Sequence, residues 1–363
     1  MHRLLWLIGA CMALGACTSS PEQDLAEPLI TYQDLFSSTP DGAVACYRIP
    51  ALVTAPNGDL IAAIDERVPS CADLRSNRDI NIVLRRSSDA GATWSDIERV
   101  VDFPLGQSAS DPSMIVDVKT GEIVMFYNFM DLDAAPGRYR MHLIRSTDHG
   151  QTWSAPEDLT AQITKPEWNN DFQFITSGRG LQTESGRLLH TLVNLERGLH
   201  LFGSDDHGLT WFLLDTPLAP GDESKVIELA DGQLMVNSRV NDAGLRYIHT
   251  SADGGQTWHT RPDSTLIDPG CNASLLRYPG DEDRADLLLF SNANSATERT
   301  NLTIRVSRDQ GATWPAGRTV YAGEAAYSSM TVLANGEIGV LFERDDYTIT
   351  TFARFPLAWL TSP

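Results

Sequence analysis

Arginine carries nearly all the positive charge of this chain. Lys119, Lys165 and Lys225 are the lysines among its 28 basic residues, which leaves 25 arginines. The planar guanidinium group of arginine binds a carboxylate through two parallel hydrogen bonds, so an excess of arginine suits recognition of an acidic ligand. A compositional bias explains the excess equally well. The positions of individual arginines therefore matter more than their number.

The other side chains with catalytic potential show no metal or cofactor pattern. The eight histidines are scattered, and neither HExxH nor CxxC spacing occurs. A glycine-rich phosphate loop and a dinucleotide fingerprint are absent as well. The sequence predicts a protein that uses no metal and no cofactor.

Five copies of one short motif must build the scaffold that positions these side chains. The motif S-x-D-x-G-x-T-W, called the Asp-box below, occurs at residues 87–94, 146–153, 204–211, 251–258 and 307–314. Serine and aspartate oxygens can cap backbone N–H groups in a tight turn, glycine supplies a positive φ, and tryptophan packs against a neighbour. The motif is therefore a folding device rather than a catalytic one.

The spacing of the boxes predicts the fold class. Successive box aspartates are 59, 58, 47 and 56 residues apart, which is room for one four-stranded antiparallel unit each. Alternating residues such as 80–86 and turn dipeptides such as Asn57-Gly58 favour strands. Radially arranged, such units form an all-β propeller that protects its sheet edges.

The number of blades follows from the length of the chain. About 335 residues, divided by roughly 55 per unit, predict a six-bladed β-propeller with four-stranded antiparallel blades. A seven-bladed propeller is the alternative. The sixth unit lacks a box, so we expect it to contain strands near residues 325–356 and to be closed by residues 29–35.

The overall charge excludes one class of partner. The formal net charge is -20 and the isoelectric point is near 4.7, so a nucleic-acid partner is excluded. Hydrophobic residues make up 42% of the chain, as in an ordinary globular protein.

The N-terminus predicts an export signal. Residues 1–16 combine one positive charge with an apolar stretch shorter than the roughly 20 residues that span a bilayer, as in a signal peptide. Residues 14–17 resemble the lipobox of bacterial lipoproteins, which implies that Cys17 is acylated and anchors the protein to the outer membrane, on its periplasmic or surface side. Residues 17–28 then form a flexible tether, and residues 29–363 form the propeller domain. A plain cleaved signal with an incidental cysteine is the alternative.

The cysteines that remain are Cys46, Cys71 and Cys271. An oxidising compartment permits one disulfide bond among three thiols. We predict that Cys46 pairs with Cys71, because both flank the motifs described next. Three buried free thiols fit the sequence equally well.

From Tyr47 almost to its end, the chain resembles a bacterial exo-α-sialidase of the Asp-box sialidase superfamily. Beyond the boxes, the matching segments are residues 47–50 (YRIP), 66–67 (ER), 73 (D), 110–113 (SDPS), 223–225 (ESK), 237–239 (NSR), 299–302 (RTNL) and 326–328 (AYS). The resemblance implies that the protein acts on terminal sialic acid, a sugar with a carboxylate on its anomeric carbon.

The resemblance assigns the carboxylate of this sugar to three arginines. Arg48, Arg239 and Arg299 correspond to the arginine triad of the family and come from different blades. Glu343 corresponds to the carboxylate that orients the first of them, Arg48. Surface salt bridges for the arginines, and an exposed strand end for the glutamate, are the alternatives.

The resemblance also implies catalytic roles. An anionic anomeric centre repels a carboxylate nucleophile, and sialidases use tyrosine instead. Tyr327 corresponds to this nucleophile. A phenol with a pKa of about 10 keeps its proton near neutral pH and needs a base to remove it, and Glu223 corresponds to that base. Asp73 corresponds to the acid that protonates the leaving oxygen and then activates water. Asp65 and Asp79 compete with Asp73 for this role.

Two further residues correspond to contacts with the 4-hydroxyl of the sugar, Arg67 and Asp111. Asp111 could instead cap a turn. The implied function is retaining hydrolysis of terminal α-linked sialic acid from glycoproteins, glycolipids and oligosaccharides, through a tyrosyl-enzyme intermediate. Transfer of sialic acid to an acceptor sugar, and a non-catalytic propeller that only binds sialic acid, remain alternatives.

Overall fold

The computed structural model describes residues 29–39, 41–280, 286–315 and 317–362. The predicted signal peptide, the tether and Cys17 lie outside the described residues. The regular secondary structure of the described part is almost entirely β-strand, and no helix in it is long and apolar enough to cross a membrane.

The strands are numbered in chain order. They are β1 (Thr31–Ser37), β2 (Cys46–Thr54), β3 (Leu60–Arg67), β4 (Ile80–Ser87), β5 (Glu98–Val101), β6 (Gln107–Val116), β7 (Ile123–Asp131), β8 (Arg140–Ser146), β9 (Glu157–Asp158), β10 (Gln173–Ile175), β11 (Gly178–Arg179), β12 (Leu181–Gln182), β13 (Leu188–Asn194), β14 (Gly198–Ser204), β15 (Phe212–Leu218), β16 (Ser224–Glu228), β17 (Leu234–Ser238), β18 (Leu245–Ser251), β19 (His259–Ile267), β20 (Ser274–Tyr278), β21 (Leu287–Ala293), β22 (Thr300–Ser307), β23 (Arg318–Val332), β24 (Ile338–Arg344) and β25 (Ile349–Phe355). The helices are α1 (Thr160–Ile163), a 3-10 turn (Pro166–Trp168) and α2 (Leu357–Thr361).

These strands form five sheets in a propeller-like arrangement. Two sheets have four strands, in the orders β2-β3-β4-β5 and β16-β17-β18-β19. Two have five strands, in the order β11-β6-β7-β8-β9 and in the order β10-β13-β14-β15 with β12 also paired to β13. The last has seven, in the order β1-β25-β24-β23-β22-β21-β20. The all-β propeller-like fold predicted from the boxes is confirmed, whereas the sheets do not separate into six four-stranded blades.

The seven-stranded sheet arises from one long strand. The first part of β23 pairs with β22, up to Glu324, and the second part pairs with β24, from Ala325 onward. Two antiparallel units therefore share a continuous backbone. The N-terminal strand β1 pairs with β25, as expected for residues 29–35.

Each Asp-box begins at the last residue of a strand and makes the same turn. In the first box, Ser87 Oγ donates to Asp89 Oδ1 at 2.8 Å, and Thr93 donates to the same carboxylate from its backbone N at 2.8 Å and its hydroxyl at 2.6 Å. The other four boxes repeat these bonds. Gly91 has φ +84° and donates to Ser87 Oγ at 2.8 Å. The polar side chains of the motif thus form hydrogen bonds that hold the turn.

Apolar side chains fill the spaces between neighbouring sheets and close the ring. One cluster joins Leu52 and Leu60 of the first sheet to Leu341 and Phe352 of the last. Across the same junction, the backbone N of Leu52 donates to Ser329 Oγ at 3.0 Å. Strand β2 contacts both β6 and β23, which belong to two different sheets.

Candidate active site

One pocket of about 250 Å³ brings the predicted catalytic and substrate-binding side chains together. Eight of them line it, namely Arg48, Arg67, Asp73, Asp111, Glu223, Arg239, Arg299 and Tyr327. Glu343, on β24, is fully buried beside the pocket. Because these residues come from at least four sheets, the pocket exists only in the assembled ring.

Bulges in the strands near the centre direct side chains into the pocket. The pairing register shifts in β2 between Arg48 and Ala51, and in β6 between Ser110 and Ser113. Within these two register shifts, Ile49 has φ +67° and Asp111 has φ +65°, in the left-handed region that residues other than glycine rarely adopt. Bulges of this kind re-aim side chains next to functional sites.

The guanidinium group of Arg48 is held by a buried carboxylate. Its Nε and Nη2 donate to the two oxygens of Glu343 at 3.2 and 3.4 Å. The same carboxylate accepts from the backbone N of Ile49 at 2.7 Å and of Tyr327 at 3.1 Å. Burial disfavours the charge on Arg48, but Glu343, Tyr327 and Tyr347 together outweigh burial and raise the pKa of Arg48 above its ordinary value. Glu343 therefore fixes both the arginine and the strand that carries Tyr327.

The hydroxyl of Tyr327 lies against a carboxylate and a guanidinium group. It donates to Glu223 Oε2 at 2.6 Å and accepts from Arg239 Nη1 at 3.2 Å. Arg239 also forms an ion pair with Glu223. Burial, and then the charge of Glu223, raise the pKa of Tyr327 well above its ordinary value. The phenol is therefore protonated until a base removes its proton, and Glu223 is in position to do so.

Arg299 differs from the other two triad arginines. Its Nη1 donates to Tyr347 Oη at 3.1 Å and its Nη2 to the carbonyl of Gly270 at 3.3 Å. Among the described residues, no carboxylate forms an ion pair with it. The ring of Tyr347 also lies 4.0 Å from the guanidinium carbon of Arg48. Tyr347, which the sequence reasoning missed, thus supports two of the three arginines.

Of the three candidate acids, Asp73 alone lines the pocket. Its carboxylate accepts from Arg67 Nη1 at 2.7 Å and lies 3.8 Å from Arg48 Nη1. Burial raises the pKa of Asp73, but Arg67 and then Arg48 outweigh it and lower the pKa below its usual value. Asp65 is fully buried in an ion pair with Arg67 at 3.0 Å, and Asp79 accepts from Asn81 at 3.1 Å.

Asp65, which is fully buried, and Asp111, which is half-buried and lines the pocket, form an acid pair. Asp65 accepts from Ser110 Oγ at 2.6 Å and from the backbone N of Asp111 at 2.9 Å, and Asp111 accepts from Asn128 at 3.0 Å. Burial, and then the charge of Asp65, raise the pKa of Asp111. A protonated Asp111 can donate a hydrogen bond to a ligand hydroxyl.

An apolar wall completes the pocket, and sequence reasoning did not predict it. It consists of Tyr139, Phe172, Phe174 and Leu195. The ring centroids of Tyr139 and Phe172 are 5.0 Å apart, and Leu195 is 52% exposed. Exposure of an apolar side chain beside a polar pocket would have indicated this wall, but exposure is visible only in the structure.

The arrangement can bind an anion and attack a carbon next to it. Guanidinium groups from three parts of the ring face the phenol of Tyr327, and the phenol has its base within hydrogen-bond distance. Within the described ranges, no group of three or more histidine, cysteine, aspartate or glutamate side chains could hold a metal ion.

Comparison with known proteins identifies the family. A family model described as a BNR repeat-like domain matches residues 58–340. A solved structure described as Hadza microbial sialidase Hz136 is 31% identical, with a TM-score of 0.81 over 90% of this chain and 68% of that one. The chain belongs to the sialidase superfamily. The resemblance drawn from the sequence is thereby confirmed.

Two curated relatives are longer than this chain. The sialidase of Micromonospora viridifaciens is 37% identical over 96% of this chain and 59% of its own length. That of Bacteroides fragilis is 32% identical over 84% of this chain and 61% of its own length. This superfamily member thus spans about three fifths of the length of these two relatives.

Proposed function

We propose that this member of the sialidase superfamily is an exo-α-sialidase that releases terminal α-linked sialic acid, with retention, from glycoproteins, glycolipids and oligosaccharides. One observation carries the proposal: the 2.6 Å hydrogen bond from Tyr327 to Glu223, inside a pocket lined by Arg48, Arg239 and Arg299. Relatives at 37% and 32% identity are sialidases by name, which supports this activity.

Binding begins with the carboxylate of the substrate. The three arginines donate charge-assisted hydrogen bonds to it, each worth about 1.5–3 kcal/mol. Arg299 contributes a guanidinium group that no carboxylate of the described residues neutralises. Asp111 and Arg67 contact the 4-hydroxyl of the sugar, and these contacts affect the affinity for the substrate more than the rate of the chemical step.

Chemistry proceeds through Tyr327. Glu223 takes the phenolic proton as the oxygen attacks the anomeric carbon, and Arg239 stabilises the developing phenolate from 3.2 Å. The bond to the aglycone breaks, and Asp73 donates a proton to the leaving oxygen. Asp73 then takes a proton from the water that attacks the tyrosyl intermediate. Tyr327 leaves and recovers its proton from Glu223.

The acid role of Asp73 requires that it gain a proton. In the structure, the arginines beside it lower its pKa. The incoming carboxylate competes with Asp73 for Arg48, which lies 3.8 Å away, and brings a second negative charge close to it. Both effects favour the protonated form of Asp73 when substrate is bound.

The test is release of 4-methylumbelliferone from its sialoside. Tyr327→Phe removes the nucleophilic oxygen and is expected to lower kcat by at least the factor of about 10²–10⁴ attributed to a positioned acid or base. Tyr32→Phe is the matched control, since Tyr32 is 50% exposed on β1 and lies outside the pocket. Equal turnover in the two variants would refute the nucleophile.

The stereochemical course tests retention separately. The first product observed by NMR is expected to be the α-anomer of free sialic acid, and initial β-anomer would mean inversion. Sialylated lactose formed when lactose is added would indicate transfer instead of hydrolysis.

The six-bladed count belongs to the same proposal. We count the seven-stranded sheet as two blades that share β23, because its two parts pair with different neighbours. With the four other sheets this makes six blades in the domain of residues 29–363.

The N-terminal assignments are also a proposal. Residues 1–16 act as a signal, and Cys17 carries lipid at the outer membrane, where the lipid is the protein's sole membrane contact. A Cys17→Ala variant is expected to move from the detergent-extracted fraction to the soluble one. An unchanged distribution would refute the anchor.

A further inference from the structure

A disulfide bond ties the segment that bears Asp73 to the strand that bears Arg48. We call residues 68–79, between β3 and β4, the acid loop. Cys71 in this loop is bonded to Cys46 of β2, with 5.6 Å between the two Cα atoms. Cys46 stands two residues before Arg48, and Cys71 stands two residues before Asp73. The predicted pairing of these cysteines is confirmed, and the bridge joins the chain just before Arg48 to the chain just before Asp73.

Apart from the disulfide bond, hydrogen bonds and not apolar packing hold the first half of the acid loop. None of residues 68–73 is buried, and the side chain of Asp73 is 80% exposed. Leu74, which is 3% exposed, is the apolar anchor, and it lies beyond Asp73. Arg67 Nη1 donates to the carbonyl of Cys71 at 2.9 Å, and Asn77 Nδ2 donates to that of Ser70 at 2.7 Å. The carbonyl of Asp73 accepts from the backbone N of Ser76 at 3.0 Å and of Asn77 at 3.1 Å, both within the same loop.

The strongest noncovalent contact of Asp73 depends on its charge. Its ion pair with Arg67, at 2.7 Å, exists while the carboxylate is ionised. A general acid must be protonated, and protonation abolishes the Coulomb attraction to Arg67. The disulfide bond does not depend on whether Asp73 is protonated. It therefore still restrains the loop in the state in which the acid acts.

We propose that the Cys46–Cys71 bond is a positioning element for general-acid catalysis: it keeps protonated Asp73 beside the leaving oxygen after the Arg67 ion pair is lost. The inference rests on the proposed sialidase function. Residues 46 and 71 touch neither substrate nor reacting atoms, so their effect passes through Asp73. Removing the bond should weaken protonation of the leaving group and leave attack by Tyr327 nearly intact.

Two substrates separate these steps. A sialoside of lactose has an alcohol leaving group that needs a proton, whereas 4-methylumbelliferone leaves readily as a phenolate. We expect kcat/KM for sialyllactose to fall at least about tenfold in the double variant Cys46→Ala/Cys71→Ser. This loss is part of the rate enhancement of about 10²–10⁴-fold that a positioned general acid provides. On the aryl sialoside we expect a loss below about threefold. Asp73→Asn is the reference and should show the same pattern with a larger ratio.

Reduction of the unaltered protein provides an independent measurement. Dithiothreitol reduces the bond to two thiols and is itself oxidised to a disulfide; Cys71 is exposed and accessible to it. The treated protein should acquire the substrate pattern of the double variant and recover on reoxidation. The double variant should not respond to the reagent, which controls for effects on Cys271.

The outcomes are distinguishable. Equal losses on both substrates would mean that the bond serves only general stability, and no loss on either would mean that it has no role; each result overturns the inference. If the unaltered protein released sialic acid from neither substrate, the proposed function itself would fail, and this inference with it. If Asp73→Asn spared sialyllactose hydrolysis, the acid would be a different residue and the inference would also fall.

Discussion

Glu343 is the residue whose replacement tests the architecture of the pocket most directly. Its two carboxylate oxygens accept four hydrogen bonds, two from Arg48 and one each from the backbone N of Ile49 and Tyr327. The side chain is 0% exposed. Every one of its partners is a donor, and each oxygen receives two of them. Glu343→Gln keeps the shape but must turn an NH2 group toward two donors.

The expected cost follows from those contacts. Glutamine loses two of the four accepted bonds and leaves the charge of Arg48, which is 9% exposed, without its buried partner. Breaking a buried ion pair by removing one partner costs about 3–5 kcal/mol. We therefore expect the free energy of unfolding to fall by about that amount. The loosened Arg48 should also lower kcat/KM by roughly 10- to 150-fold, the equivalent of one charge-assisted bond of about 1.5–3 kcal/mol.

Urea unfolding and sialoside hydrolysis provide the two measurements. Glu324→Gln is the matched control, because Glu324 lies on β23 with Tyr327 but is exposed. An exposed change of this kind is expected to stay within about 0.5 kcal/mol. If Glu343→Gln matched Glu324→Gln in both measurements, Glu343 would not hold the site together, and the reasoning about Arg48 would be wrong.

Two further predictions concern the acid pair and the boxes. Burial and the charge of Asp65 raise the pKa of Asp111 above that of an unfolded aspartate, so its contribution to stability is complete at low pH and is lost as the pH rises through the raised pKa. Asp111→Asn should therefore flatten the decline in unfolding free energy above about pH 4, and equal pH slopes would contradict this. Gly91→Ala places a Cβ against the ring of Phe352, whereas Gly121→Ala, at a similar φ, meets nothing within 4 Å. The first should cost about 1–3 kcal/mol more than the second, measured by urea unfolding.

The repeats made most of the fold predictable. A box turn depends on side chains that are visible in the sequence, so all five turns occur where the motif stands, each at the end of a strand. The boxless unit predicted near residues 325–356 corresponds to β23, β24 and β25, and the closing strand is β1. The sharing of β23 between two units was not predictable. The strand changes its pairing partner from β22 to β24 between Glu324 and Ala325, and no residue type in the sequence indicates this change.

Pocket residues could be predicted from the sequence where they lie in a recognisable motif, and not elsewhere. Arg48, Glu223 and Tyr327 lie in short matching segments, and these segments meet once the ring closes. Tyr347 has no such segment. It lies in a turn where Asp345, Asp346 and Tyr347 itself all have φ between +51° and +63°, although none is glycine. The two aspartates favour a turn, since aspartate tolerates positive φ, but no residue type in the segment indicates that its tyrosine would contact two arginines.

The net charge of the whole chain does not decide whether its pocket can bind an anion. A formal net charge of -20 describes the field beyond a Debye length of about 10 Å, where an anionic ligand is disfavoured. Inside the pocket, Glu343 balances Arg48 and Glu223 balances Arg239. Arg299 forms no ion pair with a carboxylate of the described residues: it donates to the hydroxyl of Tyr347 and the carbonyl of Gly270, and it lies 5.4 Å from the ring centroid of Tyr327. A ligand carboxylate can therefore pair with Arg299 without displacing a carboxylate that already holds it. For an acidic protein, the position of such a guanidinium group decides more about anion binding than the number of arginines in the chain.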